Sequence, residues 1–299
     1  MVDSIQKGNI FLFEAPQESL LSRCIAALTN STVSHTAVYC GENKIIEMGS
    51  TGIMENNISL VDEGQKTYVM RLNSHPDGSP VVTNAKKYLK QEVKYDYVSL
   101  FILCGLIIYR EHHPTNKWQK VANFALRLGL KKLDELLNHQ LNKSKKPVMM
   151  CSQLAYQCYL DSGKKYRITF KQSLLEEHDQ FSVNSGVRIA DQLVDLPELD
   201  TFSNAEAQPV KDISNDKLAQ KMLEAFEEEQ EVNDQLDTAT TWSPEVLKLA
   251  KQFLDTAEKW LEKINPDIPL EALFVTPADL LEHSSNLEQV AEVGTKRIW

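Results

Sequence analysis

The sequence is poor in the features that mark specialised chains. With only 11 glycines and 11 prolines in 299 residues it is neither collagen-like nor of low complexity, and 42% hydrophobic residues exclude wholesale disorder. Its longest apolar run, Tyr97 to Tyr109 (YVSLFILCGLIIY), falls well short of the ~20 residues that span a bilayer, and predicts a buried or interfacial helix. The five cysteines, at 24, 40, 104, 151 and 158, form no CxxC pair and no His/Cys cluster at zinc spacing. Neither a disulfide framework nor a metal nor a cofactor is expected, and a reducing, cytoplasmic compartment fits best. The N-terminal MVDSIQKGNIFLFEAP mixes acids and a lysine into its apolar residues, unlike a secretory signal. Positive charge is also scarce: 32 Lys+Arg against 42 Asp+Glu leaves −10, which argues against a general nucleic-acid binder.

What is present reads as one elaborated globular domain or two small ones. Asn9–Phe13, Ser34–Cys40, Lys44–Met48 and Thr67–Leu72 have strand length and composition, and the polar Gly41-Glu42-Asn43 joins the second to the third as a hairpin. Glu18–Leu28 has helical periodicity. From Val81 to about Leu141 the pattern is helical, in segments broken at His113-Pro114. Met149–Leu160 follows, with Leu154, Ala155, Cys158 and Tyr159 on one helical face. Between Glu198 and Asp234, 11 acids against 3 lysines account for −8 of the chain's −10. That stretch reads as a solvated helix or flexible insertion, or else as an acidic docking segment. Pro244–Ile264 is an amphipathic helix, and Thr276-Pro277-Ala278-Asp279 is a helix start, with Thr as N-cap and Pro in the first helical position.

Five cysteines and seven histidines offer many pairs, so local context must choose among them. Cys151 follows an extended Lys-Lys-Pro-Val-Met-Met and opens a helix. There the unpaired N–H groups stabilise a thiolate and offer donors to a developing oxyanion. An ordinary buried cysteine satisfies the same local pattern. His35 begins a strand, and Glu47 lies across the expected hairpin, close enough for its carboxylate to accept from one imidazole nitrogen and leave the other for a thiol. A structural His–Glu pair is the alternative. His112-His113 invites a metal reading, but adjacent helical positions point about 100° apart and no third ligand is near. Cys24, Cys40, Cys104 and Cys158 lie within apolar segments and read as packing residues.

A set of blocks in order, Gly8-Asn9-Ile10-Phe11-Leu12-Phe13, Leu21-Ser22-Arg23, Thr29-Asn30-Ser31, Ser34-His35-Thr36-Ala37-Val38-Tyr39 and Lys44-Ile45-Ile46-Glu47-Met48, resembles the permuted papain-like hydrolases of the YiiX and YebB type. These are relatives of the NlpC-type cell-wall peptidases with the order of catalytic residues rearranged. The similarity continues at Tyr95-Asp96-Tyr97, at Met150-Cys151-Ser152-Gln153-Leu154, and at Thr276-Pro277-Ala278-Asp279-Leu280 followed by Asn286-Leu287; residues 195 to 269 have no counterpart. The resemblance implies Cys151 as nucleophile, His35 as general base and Glu47 as its orienter. The family more usually has Asp after the first Gly and an acid after Cys-Ser, where this chain has Asn9 and Gln153.

The expected architecture is therefore α+β: a circularly permuted papain-like fold whose small antiparallel sheet packs on helices, with an acidic helical insertion. Residues 1–194 would form the catalytic core, 195–269 the insertion or subdomain, and 270–299 a C-terminal return to the core. The expected activity is hydrolysis of an amide bond in a small peptide or amino-acid derivative, through a Cys151-His35-Glu47 triad and a thioester. Residues 111–146, rich in lysine behind the apolar run, suggest a possible membrane surface through residues 97–141 and an acylated lipid substrate as a second reading. A non-catalytic binding module with an acidic docking segment is the third. No nucleic-acid partner is expected.

Overall fold

Strands buried on both faces need continuous apolar sequence, and the opening of the chain supplies it. The computed structural model describes residues 4–49, 51–95, 148–171, 241–264 and 275–298, with residue 272 and scattered positions between 119 and 134. The described strands are β1 (Ile10–Glu14), β2 (Val33–Gly41), β3 (Lys44–Gly49), β4 (Gly52–Val61), β5 (Gln65–Leu72), β6 (Lys94–Tyr95), β7 (Val148–Met149) and β8 (Leu287–Ile298). The helices are α1 (Leu20–Leu28), α2 (Ser79–Lys90), α3 (Cys151–Leu160) and α4 (Pro244–Ile264). Helix and antiparallel sheet together make an α+β chain.

Six strands close into a barrel in the order β1-β2-β3-β4-β8-β5, with β5 returning to β1 and every neighbouring pair antiparallel. Phe11, Phe13, Ala37, Tyr39, Ile45, Ile58, Val69 and Ala291 form its interior cluster. Phe11 stacks on Tyr39 with ring centroids 5.1 Å apart. Ile10, Leu12, Val38, Ile46 and Met48, which alternate with interior residues, are buried as well, because helices cover β2 and β3 from outside. Each such side chain contributes about 1.5–3 kcal/mol through burial.

The expected strands at 9–13, 34–40, 44–48 and 67–72 lie within β1, β2, β3 and β5 to within two residues. Strands β4 and β8 were not anticipated. Their sequences, GIMENNISLV and LEQVAEVGTKRI, carry charges and amides along partly exposed strands and lack an apolar run.

Helix α2 ends at Lys90 and the described positions between 119 and 134 are helical, as expected of a helical stretch in segments; the rest of 96–141 lies outside the described residues. Glu92 takes a positive φ of 52°, and the chain then enters β6, which pairs in parallel with β7. Helix α3 departs from expectation. Every residue from Cys151 to Tyr159 is buried, so it has no solvent face, as befits a helix packed against β2, β3 and α2. Its position is tied to β1 by the Tyr159 hydroxyl, which donates to the Gly8 carbonyl at 2.6 Å. Gly8 and Gly78 meet there backbone to backbone: a Cβ on Gly78 would lie 1.7 Å from the Lys7 carbonyl oxygen.

Two compact units divide the chain: Met1–Ser99, Lys145–Gln180 and Asp267–Trp299 in one, Leu100–Ser144 and Phe181–Pro266 in the other. The first contains the barrel with α1, α2 and α3. In the second, α4 spans the expected residues and is capped by Ser243, whose hydroxyl accepts from the Val246 N–H. The acidic stretch 198–234, His112-His113, Cys104 and most of the basic and apolar segment 97–141 lie outside the described residues. No described helix is long and apolar enough to cross a membrane.

Candidate active site

Register decides which side chains meet. Phe13 pairs with His35, Ala37 with Glu47, and Ile58 with Arg297, which puts His35, Glu47 and Arg297 on the same interior face as the aromatic cluster. His35 and Glu47 are diagonal neighbours across the β2–β3 hairpin, a separation that long side chains bridge. The His35 Nε2 lies 2.6 Å from Glu47 Oε2. Helix α3, packed against β2 and β3, presents Cys151 in its first turn, where its side chain interacts with that of His35. With Nε2 committed to Glu47, Nδ1 is the nitrogen left for the thiol.

The helix start is built by Gln153. Its carboxamide oxygen accepts from the Met150 N–H at 3.1 Å, holding Met150 extended so that the helix begins at Cys151. This is the position where the resembling family more often has an acid. Asn9, the other departure, accepts from the Gln6 N–H at 2.7 Å and shapes the turn into β1. Gln153 performs its cap without placing a second negative charge near the sulfur, and its buried Nε2 has no hydrogen-bond partner among the described residues.

Glu47 is 4% exposed and fully engaged. Oε2 accepts from His35 and from an Arg297 terminal nitrogen at 2.8 Å, while Oε1 accepts from Asn56 Nδ2 at 2.7 Å and Arg297 Nε at 3.0 Å. Burial works against its ionisation, yet the hydrogen bonds and charges of His35 and Arg297 prevail and hold the carboxyl well below its usual range. For His35, burial disfavours the charged ring, but its bonds to Cys151 and Glu47 push it up to about 9. Burial would likewise raise the Cys151 thiol. The imidazolium, then the backbone N–H groups of Thr36 and Ser152, outweigh that penalty and bring it below the ordinary thiol value.

The other described thiols behave in the opposite way. Burial pushes Cys24 up to about 12, Cys40 to about 11 and Cys158 well above the usual value. All four are free and buried, so burial alone does not distinguish them; proximity to His35 does. Together the three residues singled out by sequence form one contiguous arrangement of thiol, imidazole and carboxylate, in which the thiol is shifted down and the ring up. Sequence reasoning missed Arg297 and Asn56. Arg297 lies 250 residues from Glu47, and no local pattern announces it. A charge argument was open, since a buried carboxylate beside a histidine calls for a further donor.

Among the described residues no cluster of three or more His, Cys, Asp or Glu could hold a metal ion. What the arrangement can do chemically is offer a thiol that ionises more readily than an ordinary one, a proton donor beside it, and a carboxylate that keeps that donor oriented. No protein-family model matches the chain, and no curated protein matches it in sequence.

Proposed function

We propose that this protein is a cysteine hydrolase, acting on an amide bond of a small peptide or amino-acid derivative, with a papain-like core in permuted order. The observation that carries the reading is the placement of the Cys151 thiol at a helix start, beside a His35 whose Nε2 is held by a buried Glu47. The order of the elements supports the permuted arrangement: the strands bearing His35 and Glu47 precede the helix headed by Cys151.

In this mechanism the Cys151 thiolate attacks the carbonyl carbon. As the tetrahedral intermediate collapses, the His35 imidazolium gives its proton to the leaving nitrogen, the C–N bond breaks and a thioester remains. A water then adds to the thioester while neutral His35 takes its proton. The C–S bond breaks, the carboxylic acid leaves, and thiolate and imidazolium are restored. Glu47 holds the ring orientation throughout and stabilises its charged form.

Incubation with a panel of N-acyl amino-acid anilides, followed by intact-mass measurement, tests the proposal. An acyl adduct that maps to Cys151 and is lost in Cys151→Ala is expected, with release of the aniline. Absence of any adduct, together with chloroacetamide labelling of Cys151 no faster than that of Cys24 or Cys40, would overturn it.

A further inference from the structure

The triad residues do not exhaust the charges at this site. Arg297 grips Glu47 by both oxygens, through Nε at 3.0 Å and a terminal nitrogen at 2.8 Å. Its guanidinium also lies over the Phe13 ring, 4.7 Å from the centroid, while the His35 ring sits 5.7 Å from the same centroid. Phe13 thus supports both cations that bind Glu47. The second terminal nitrogen lies 3.4 Å from the Gln65 side-chain oxygen. A lysine could not span both carboxylate oxygens in this way; the planar fork can.

Charge balance gives the contact its meaning. With Cys151 and Glu47 negative and His35 positive, the buried group would carry a net −1, and Arg297 brings it to zero. A buried charge without a counter-ion is costly. We propose that Arg297 is a positioning residue of this site, delivered by β8, which fixes the Glu47 carboxylate and divides its charge between itself and His35, so that His35 can release its proton to a leaving group. This rests on the reading of Cys151, His35 and Glu47 as the catalytic residues. Among the described residues, the charged groups shown against Glu47 are His35 of β2 and Arg297 of β8, with Cys151 of α3 reached through His35. Asn56 of β4, Gln65 of β5 and Phe13 of β1 face the same place with neutral side chains.

Removing one positive charge must favour protonation at every titrating member of the group. The full-length chain is compared as wild type, Arg297→Gln, Arg297→Lys and, as a control, His35→Ala. Alkylation of Cys151 by iodoacetamide is followed by mass spectrometry across the acid range, and the His35 ring is titrated by NMR in the variants that retain it. In Arg297→Gln the acid midpoint of alkylation and the His35 midpoint should both rise, by about 1–3 pH units. Arg297→Lys, which keeps the charge but not the fork, should fall between. Coincidence with wild type, in whichever of the two Arg297 variants folds, overturns the proposal, because a purely structural Arg297 would change stability and leave the midpoints alone. If instead His35→Ala also leaves alkylation and its pH dependence unchanged, it is the catalytic reading itself that fails.

Discussion

Replacing Glu47 by Gln keeps the shape of the side chain and deletes one buried charge. Two consequences follow, and the structure sets their sizes. His35 loses the carboxylate at 2.6 Å, and an opposite charge at that range is worth about 1–3 pH units, so its midpoint should fall from about 9 into the neutral region. The proton shared by Cys151 and His35 then moves towards sulfur, and the thiolate-to-thiol ratio at mildly alkaline pH should drop by a factor of about 10–1000. Arg297 is simultaneously left without its counter-ion. Breaking a buried ion pair from one side costs about 3–5 kcal/mol; the carbonyl that Gln retains and the 22% exposure of Arg297 reduce this to about 2–4 kcal/mol. Iodoacetamide alkylation of Cys151 reads the first effect and urea unfolding followed by tryptophan fluorescence reads the second. The stability gap must also depend on pH. The Glu47 carboxyl is depressed in the folded state, so its contribution is complete above its unfolded value and is lost as pH falls. Wild type and Glu47→Gln should therefore converge in acid. His35, raised in the folded state, contributes fully below about 6.5 and loses that contribution as pH rises through about 9. An alkylation rate and midpoint equal to wild type, in a variant whose stability is also unchanged, would refute the claim that Glu47 supports the charged ring.

Two further outcomes test the frame around the site. Gly78→Ala should lower the urea midpoint by the equivalent of about 1–3 kcal/mol or more, since its Cβ would meet the Lys7 carbonyl oxygen at 1.7 Å and backbone must move; an unchanged midpoint would show that this contact is not tight. Asp279 is buried, and burial raises its carboxyl although the N–H and hydroxyl of Thr276 both donate to it. Its stabilising contribution therefore weakens as pH rises, so Asp279→Asn, which keeps the acceptor, should match or exceed wild-type stability at neutral pH in thermal unfolding. A loss of more than about 1 kcal/mol would mean that the charge itself is needed.

Much of the arrangement was legible locally. The runs IFLF and KIIEM are apolar because β1 and β3 are buried on both faces, and the Gly41-Glu42-Asn43 turn joins strands close enough for His35 and Glu47 to meet. The start of α3 could be read from an extended approach followed by helical residues, and Thr276, read as an N-cap, accepts from the Asp279 N–H while the Asp279 carboxylate accepts from the Thr276 N–H. The parts that escaped are those whose information is not local. Strand β8 carries no apolar run, and its residues become a strand because β4 and β5 leave edges that only a distant segment closes.

The sequence by itself determined the early strands, the β2–β3 hairpin that couples His35 to Glu47, and the residue type at the head of α3, because turn chemistry, apolar runs and helix capping act over a few neighbours. The tertiary structure decided which of the four described thiols lies beside a histidine and is shifted down, closed the barrel, and brought Arg297 to the carboxylate. Those outcomes depend on distances between residues far apart in the chain. Electrostatic balance in a buried site is a property of the assembled fold, and no segment carries it alone.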